Sequence, residues 1–215
     1  MRNEKCWYKE VCQQECTNTC LRYIEMKNLM DNSDIPPNRQ MPDKLVPQDV
    51  DVQAFRQLKD IKDNIVDFVS QGKSLYIWGK NTGNGKTSWS IKILLRFFND
   101  IWAGNGLRVR GKFVHAPTLL LQLKNFSNPL SEEYKNDIMN CDLLVLDDIA
   151  SVGISQYDLS QLLMIIDYRA FNQKSIIYTG NLGFDKMDSV LGSRLTSRIW
   201  AQTTTVVELR GEDRR

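Results

Sequence analysis

The sequence predicts an α/β protein, a parallel β-sheet with helices on both faces, preceded by a small cysteine-rich unit. From position 74 onward short apolar runs alternate with helix-period stretches, a glycine-rich turn joins the first run to the first of those helices, and a later run ends in two aspartates. The chain has 215 residues, enough for one ordinary domain plus an appendage. Its Lys+Arg count of 28 against Asp+Glu 26 confines any nucleic-acid or membrane binding to local patches. A single histidine, His115, excludes metal centres and protease motifs built on several histidines. It reads as a strand-end residue beside Ala116 and Pro117.

The elements follow in order. Residues 1–30 hold four of the five cysteines, and no apolar targeting segment or membrane-length run occurs, so the sequence predicts a cytoplasmic protein with no membrane contact. Residues 31–50 carry Pro36, Pro37, Pro42 and Pro47 and read as a linker. Residues 51–215 then form one domain. Phe55, Leu58, Ile61, Ile65 and Phe68 recur at helical spacing, predicting one amphipathic helix from Asp51 to Gln71. Strands are expected at 74–78, 111–115, 143–146, 175–179 and 204–209, and helices at 86–99, 118–126, 132–139 and 157–171.

Between the first strand and its helix lies Gly79-Lys80-Asn81-Thr82-Gly83-Asn84-Gly85-Lys86-Thr87-Ser88, in the position of a P-loop. Glycines let backbone N–H groups wrap a polyphosphate, the helix N-terminus faces the anion, Lys86 reaches the β and γ oxygens, and Thr87 offers its hydroxyl to Mg²⁺. The loop is one residue longer than G-x4-G-K-[ST], because Lys80 stands where the first glycine belongs. The first half should therefore bulge, while Gly83, Asn84, Gly85 and Lys86 keep the phosphate-facing part.

The run Leu143 to Leu146 ends in Asp147 and Asp148. Asp147 would orient a Mg²⁺-bound water at the sheet's carboxyl edge and Asp148 polarise the attacking water; an Asp pair at a strand end is also a turn signal. Asn181, in Thr179-Gly180-Asn181, can sense a γ-phosphate or simply form a turn. Arg194 and Arg198 lie four apart on one expected helical face, either a solvated basic face or a source of an arginine finger for a neighbouring subunit's ATP.

Cys6, Cys12, Cys16 and Cys20 supply four thiolates, enough for a tetrahedral Zn²⁺ site. On one straight helix Cys12, Cys16 and Cys20 would span about 12 Å at roughly 1.5 Å per residue, too far to share an ion, so zinc requires a bend near Thr17 to Thr19. The alternatives are a packing stripe with Ile24 or an Fe–S cluster. Cys141 reads as core. Residues 101–130 contain no acid but carry Arg108, Arg110, Lys112 and Lys124 with Trp102, Phe113 and Phe126, the cations and aromatics of a single-strand DNA site or of a solvated edge strand.

Residues 51–209 resemble the AAA+ helicase loaders of the DnaC and DnaI type, especially short forms from phages and mobile elements of Gram-positive bacteria. The resemblance rests on Asn84 to Trp89, Leu144 to Ile149, Ile165 to Arg169, Asn181 and Arg194 to Arg198. It implies an ATPase with Mg²⁺ that binds single-stranded DNA, assembles as an ATP-dependent homo-oligomer and delivers a hexameric DnaB-type helicase. It also implies Lys86 and Thr87 as the P-loop pair, Asp147 and Asp148 as the acids, Asn181 as sensor, and Arg198 before Arg194 as finger. Many relatives carry Glu where Asp148 stands. No helical lid is expected, and the N-terminal unit, zinc-bearing in some loaders, would grip the helicase. Two other readings stay open: an IstB-type transposition helper, and a zinc-bearing module that sequesters a helicase without ATP turnover.

Overall fold

Five parallel strands, β1 (Ser74–Trp78), β2 (Gly111–His115), β3 (Leu143–Asp147), β4 (Ser175–Gly180) and β5 (Thr203–Glu208), pair in the order β2-β3-β4-β1-β5. The computed structural model describes residues 6–8, 12–13, 17, 19–41, 44–104, 108–125, 130–150 and 155–213. β1, β3 and β4 are buried on both faces, which is why their sequences are near-continuous apolar runs. Side-chain alternation divides the core in two. Leu75, Ile77, Val145 and Ile177 point to one layer, and Tyr76, Leu144, Leu146 and Tyr178 to the other.

The first layer is closed by α1 (Leu21–Asp31), α2 (Val52–Asp63), α3 (Ile65–Ser70) and α4 (Lys86–Ile101). The second is closed by α5 (Ala116–Leu123), α6 (Glu132–Asn140), α7 (Gln156–Phe171) and α8 (Phe184–Gln202). Two differences from the sequence reading have a clear physical cause. The single helix expected over 51–71 breaks at Asn64, whose side-chain amide donates to the Asp60 carbonyl at 2.9 Å and competes with helical continuation. The helix expected from Thr118 starts two residues earlier, with Pro117 in its first turn, where a missing N–H is harmless.

The N-terminal region shares the domain's core. Cys6, Tyr8, Met26, Leu29 and Met30 are buried in the first layer, and the Arg22 guanidinium sits 3.4 Å over the Tyr8 ring. At the start of the proline-rich stretch, Ser33 and Ile35 are buried, and the Ser33 carbonyl accepts the Phe113 N–H at 2.7 Å. One ladder position of edge strand β2 is thereby covered.

Candidate nucleotide site

The chemistry-bearing side chains gather at the carboxyl ends of the strands, beside β1, where successive connections leave in opposite directions and α/β sheets place their ligands. Gly83 (φ 64°) and Gly85 (φ 100°) take left-handed conformations that aim the loop into α4. At Gly79 a Cβ would strike the Leu209 carbonyl and the Asn84 amide, so the loop must begin on a residue without a side chain. The Lys86 ammonium donates to Gly79 O at 3.0 Å, Asn81 O at 2.7 Å and Asn84 Oδ1 at 3.0 Å. It is held at the helix N-terminus within reach of any anion wrapped by the loop.

Below it, Thr87 and Thr179 both donate to Asp147 Oδ1, at 2.8 and 2.7 Å. The Thr179 hydroxyl also accepts the Asp148 N–H at 2.9 Å, which holds Asp148 in a left-handed turn (φ 61°). Asp147 is only 6% exposed, and burial pushes its carboxyl up, opposed by the Thr179 and Thr87 hydroxyls and by the charge of His115 across the β2–β3 register. Asn181 Nδ2 lies 3.5 Å from Asp148 Oδ1. Lys86, Thr87, Asp147, Asp148 and Asn181 thus lie together at the carboxyl ends of the strands. Thr179 was missed, and its signal was a lone hydroxyl closing the apolar run Ile176 to Tyr178.

These residues fit a Mg²⁺-bound nucleoside triphosphate. The glycine cradle and Lys86 suit the phosphates, and the adjacent Thr87 hydroxyl and Asp147 carboxylate suit the hard cation. Ser88 follows on α4, and Asn81, Thr82 and Asn84 have side chains engaged by the segment after β5.

A family model described as "IstB-like ATP binding protein" matches residues 7–215. The chain belongs to this family. This IstB-like chain is 26% identical over 151 residues to the replicative helicase loader DnaC of Buchnera aphidicola subsp. Acyrthosiphon pisum, which is 67% of the chain and 54% of that protein. It therefore spans about half the length of that curated relative. The crystal structure of the DnaC helicase loader superposes with a TM-score of 0.65 at 23% identity, covering 84% of this chain and 99% of that one. For DnaI the values are 0.64, 22%, 85% and 95%. The parallel sheet flanked by helices is accordingly the fold of those two helicase-loader structures.

Elsewhere the IstB-like chain departs from the sequence reading. Among the described residues no three His, Cys, Asp or Glu side chains are grouped to hold a metal ion. Cys6 is buried in the apolar core, Cys12 packs against it, Cys20 precedes α1, and Cys16 lies outside the described residues. Cys6 and Cys12 thus pack as small hydrophobes among the described residues, and the expected four-thiolate set includes a residue outside them.

The acid-free stretch acquires acids from other segments. Asp142 takes Arg108 at 2.8 Å, Arg110, and Lys174 at 3.2 Å; Asp34 takes Lys112 at 2.8 Å; Asp158 takes Lys124 at 2.7 Å. Burial works to raise the Asp142 carboxyl, but Arg110, Lys174 and Arg108 hold it below the usual carboxylate range. Lys112 and Phe113 are buried, Trp102 packs against the first layer, and Phe126 lies outside the described residues. Each of the four cations is thus paired with an acid from another segment. On α8, Leu191, Leu195 and Ile199 turn inward, so Arg194 and Arg198 face solvent, with Arg198 paired to Asp167 at 3.1 Å. Among the described residues no helix is long and apolar enough to cross a membrane.

Proposed function

We propose that the chain is a Mg-ATP-dependent loader of a hexameric DnaB-type replicative helicase, acting in the cytoplasm with single-stranded DNA. The observation that carries most weight is the Thr87–Asp147–Thr179 hydroxyl, carboxylate, hydroxyl chain directly beneath the Lys86 loop, in a chain whose curated relative is named a replicative helicase loader. When bound, Mg²⁺ would neutralise phosphate charge between Thr87 and Asp147. Lys86 draws the terminal phosphates onto α4, Asp147 fixes both hydroxyls, and Asp148, in reach of Asn181, faces the position of an attacking water. Arg198, with Arg194 second, completes the site from a neighbouring copy by exchanging its Asp167 partner for phosphate, which makes assembly ATP-dependent.

Single-turnover hydrolysis with helicase and single-stranded DNA tests the reading. Wild type should exceed Lys86→Ala by roughly 100-fold or more, the scale of losing a positioned charge in a phosphoryl-transfer site. Equal rates would leave a helicase-sequestering protein without turnover. The family description favours one other reading, a transposition helper, for which a transposase rather than a helicase would co-purify with the chain in ATP.

The N-terminal unit is the proposed helicase-facing part, through Leu21 and Ile24, large apolar side chains left exposed on α1. Leu21→Ser/Ile24→Ser should abolish helicase co-purification while leaving the melting temperature unchanged; retained binding refutes the assignment.

A further inference from the structure

The P-loop of this protein is held from outside by the segment that follows β5. Leu209 continues the β1–β5 pairing, its N–H donating to the Trp78 carbonyl at 2.7 Å, and its own carbonyl accepts the Asn84 side-chain N–H at 2.8 Å. That bond fixes which way the buried Asn84 amide faces. Its oxygen is therefore turned to Lys86 Nζ, 3.0 Å away. Two further contacts reach the extended first half of the loop: Asn81 Nδ2 donates to Gly211 O at 3.0 Å, and the Thr82 hydroxyl to Asp213 Oδ2 at 3.2 Å.

The segment is in turn fastened by one short stretch ahead of α2. Asp51, 2% exposed, accepts the Arg210 N–H on Oδ1 at 2.7 Å and the Gly211 N–H on Oδ2 at 3.1 Å. Gln48 takes both backbone groups of Glu212, accepting its N–H at 2.9 Å and donating to its carbonyl at 3.1 Å. A Cβ at Gly211 would collide with Asp51 and Gln48, so the approach needs glycine there. A buried carboxylate that spends both oxygens on consecutive backbone N–H groups is a costly arrangement for an ordinary surface turn.

The geometry points to Asp51 as a positioning residue of the nucleotide site: through the Leu209–Gly211 backbone and Asn84 it sets where Lys86 stands, and it holds the extra residue of the loop clear of the phosphates. This inference rests on the reading of the site as one for ATP. It also accounts for the departure at Lys80, since a longer loop can keep one shape when Asn81 and Thr82 are tied down beyond the glycine turn.

A double-mutant cycle on the full chain tests it, read as affinity for a fluorescent ATP analogue with Mg²⁺. Asp51→Ala should weaken binding about tenfold in the wild-type background and less than about twofold in an Asn84→Ala background, because the two residues act in one chain of contacts. Asp51→Asn, which keeps an acceptor, should recover part of the loss. Leu58→Ala, in the core of α2, should lower the melting temperature and leave affinity unchanged.

Equal losses from Asp51→Ala in both backgrounds, no loss at all, or an equal loss from Leu58→Ala would overturn the positioning role while wild-type binding still upholds the ATP site. Absence of binding by wild type at millimolar analogue would overturn the ATP reading itself. If Asp51→Ala does not fold, Gln48→Ala enters the same cycle, with an expected loss of about threefold that again disappears beside Asn84→Ala.

Discussion

Asp147 illustrates a conflict between stability and chemistry. Burial raises its carboxyl pKa above the unfolded value, so its contribution favours the fold most at low pH and is lost as pH rises through the folded-state value. The charged form is a strain that a bound cation would relieve. Asp147→Asn, which retains an oxygen for Thr87 and Thr179, should therefore raise the melting temperature at pH 7, with the gain shrinking toward pH 4, and should abolish Mg²⁺-dependent nucleotide binding. A melting temperature that falls at pH 7 would refute the assignment of strain. Lys112 shows the reverse lesson. In the sequence it was one of four cations in an acid-free stretch, yet it is buried against Asp34, with its ammonium 4.4 Å from the Tyr134 ring centroid. Lys112→Ala should cost about 1–2 kcal/mol of stability by removing its buried stem from beside Tyr134, since the exposed Asp34 can take water in its place, and should leave the salt dependence of any DNA affinity untouched. Charge density along a chain cannot reveal this, because neutralising acids arrive from other elements.

At the scale of elements, strands buried on both faces were legible because their composition permits no other placement, and β1 to β4 lie within a residue or two of their expected limits. The glycine-rich loop was legible because Gly83, Gly85, Lys86 and Thr87 keep their spacing even though Gly79 stands one residue early. What escaped were contacts made at a distance, such as Thr179 on Asp147, and α1, which follows a cluster of cysteines that reads first as metal ligands and only second as packing. Arg169 is another such case. Fully buried near the end of α7, it donates to the carbonyls of Ile138 (2.8 Å), Met139 (3.3 Å) and Cys141 (3.0 Å) at the end of α6, and to Ser175 (2.7 Å) at the start of β4. A guanidinium here satisfies orphan carbonyls and faces the negative end of the α6 dipole. Arg169→Ala should cost about 3 kcal/mol, lowering the melting temperature by roughly 6–12 °C, and Arg169→Lys should recover little because one ammonium cannot span both elements.

At the scale of the whole molecule, the N-terminal region and the sheet share one apolar layer. Deleting residues 1–30 therefore removes Met26, Leu29 and Met30 from the core, along with Cys6 and Tyr8. The truncated chain should melt at least 10 °C lower, since burial of each large side chain contributes about 1.5–3 kcal/mol. Lost helicase binding after truncation would report unfolding as much as a lost contact, which is why the paired serine substitutions on α1 are the cleaner test. An unchanged melting temperature on truncation would show that this region folds apart from the sheet.

Helix α8 is interrupted at Gly192, with φ 74° and ψ 155°, a conformation essentially closed to residues with a side chain although open space surrounds it. Arg194 and Arg198 consequently ride on a separate short rod whose compass bearing is written into one residue's backbone. Gly192→Ala should cost about 1–3 kcal/mol or else redirect that rod, so that assembly with a second copy would fail while nucleotide binding within each copy persists.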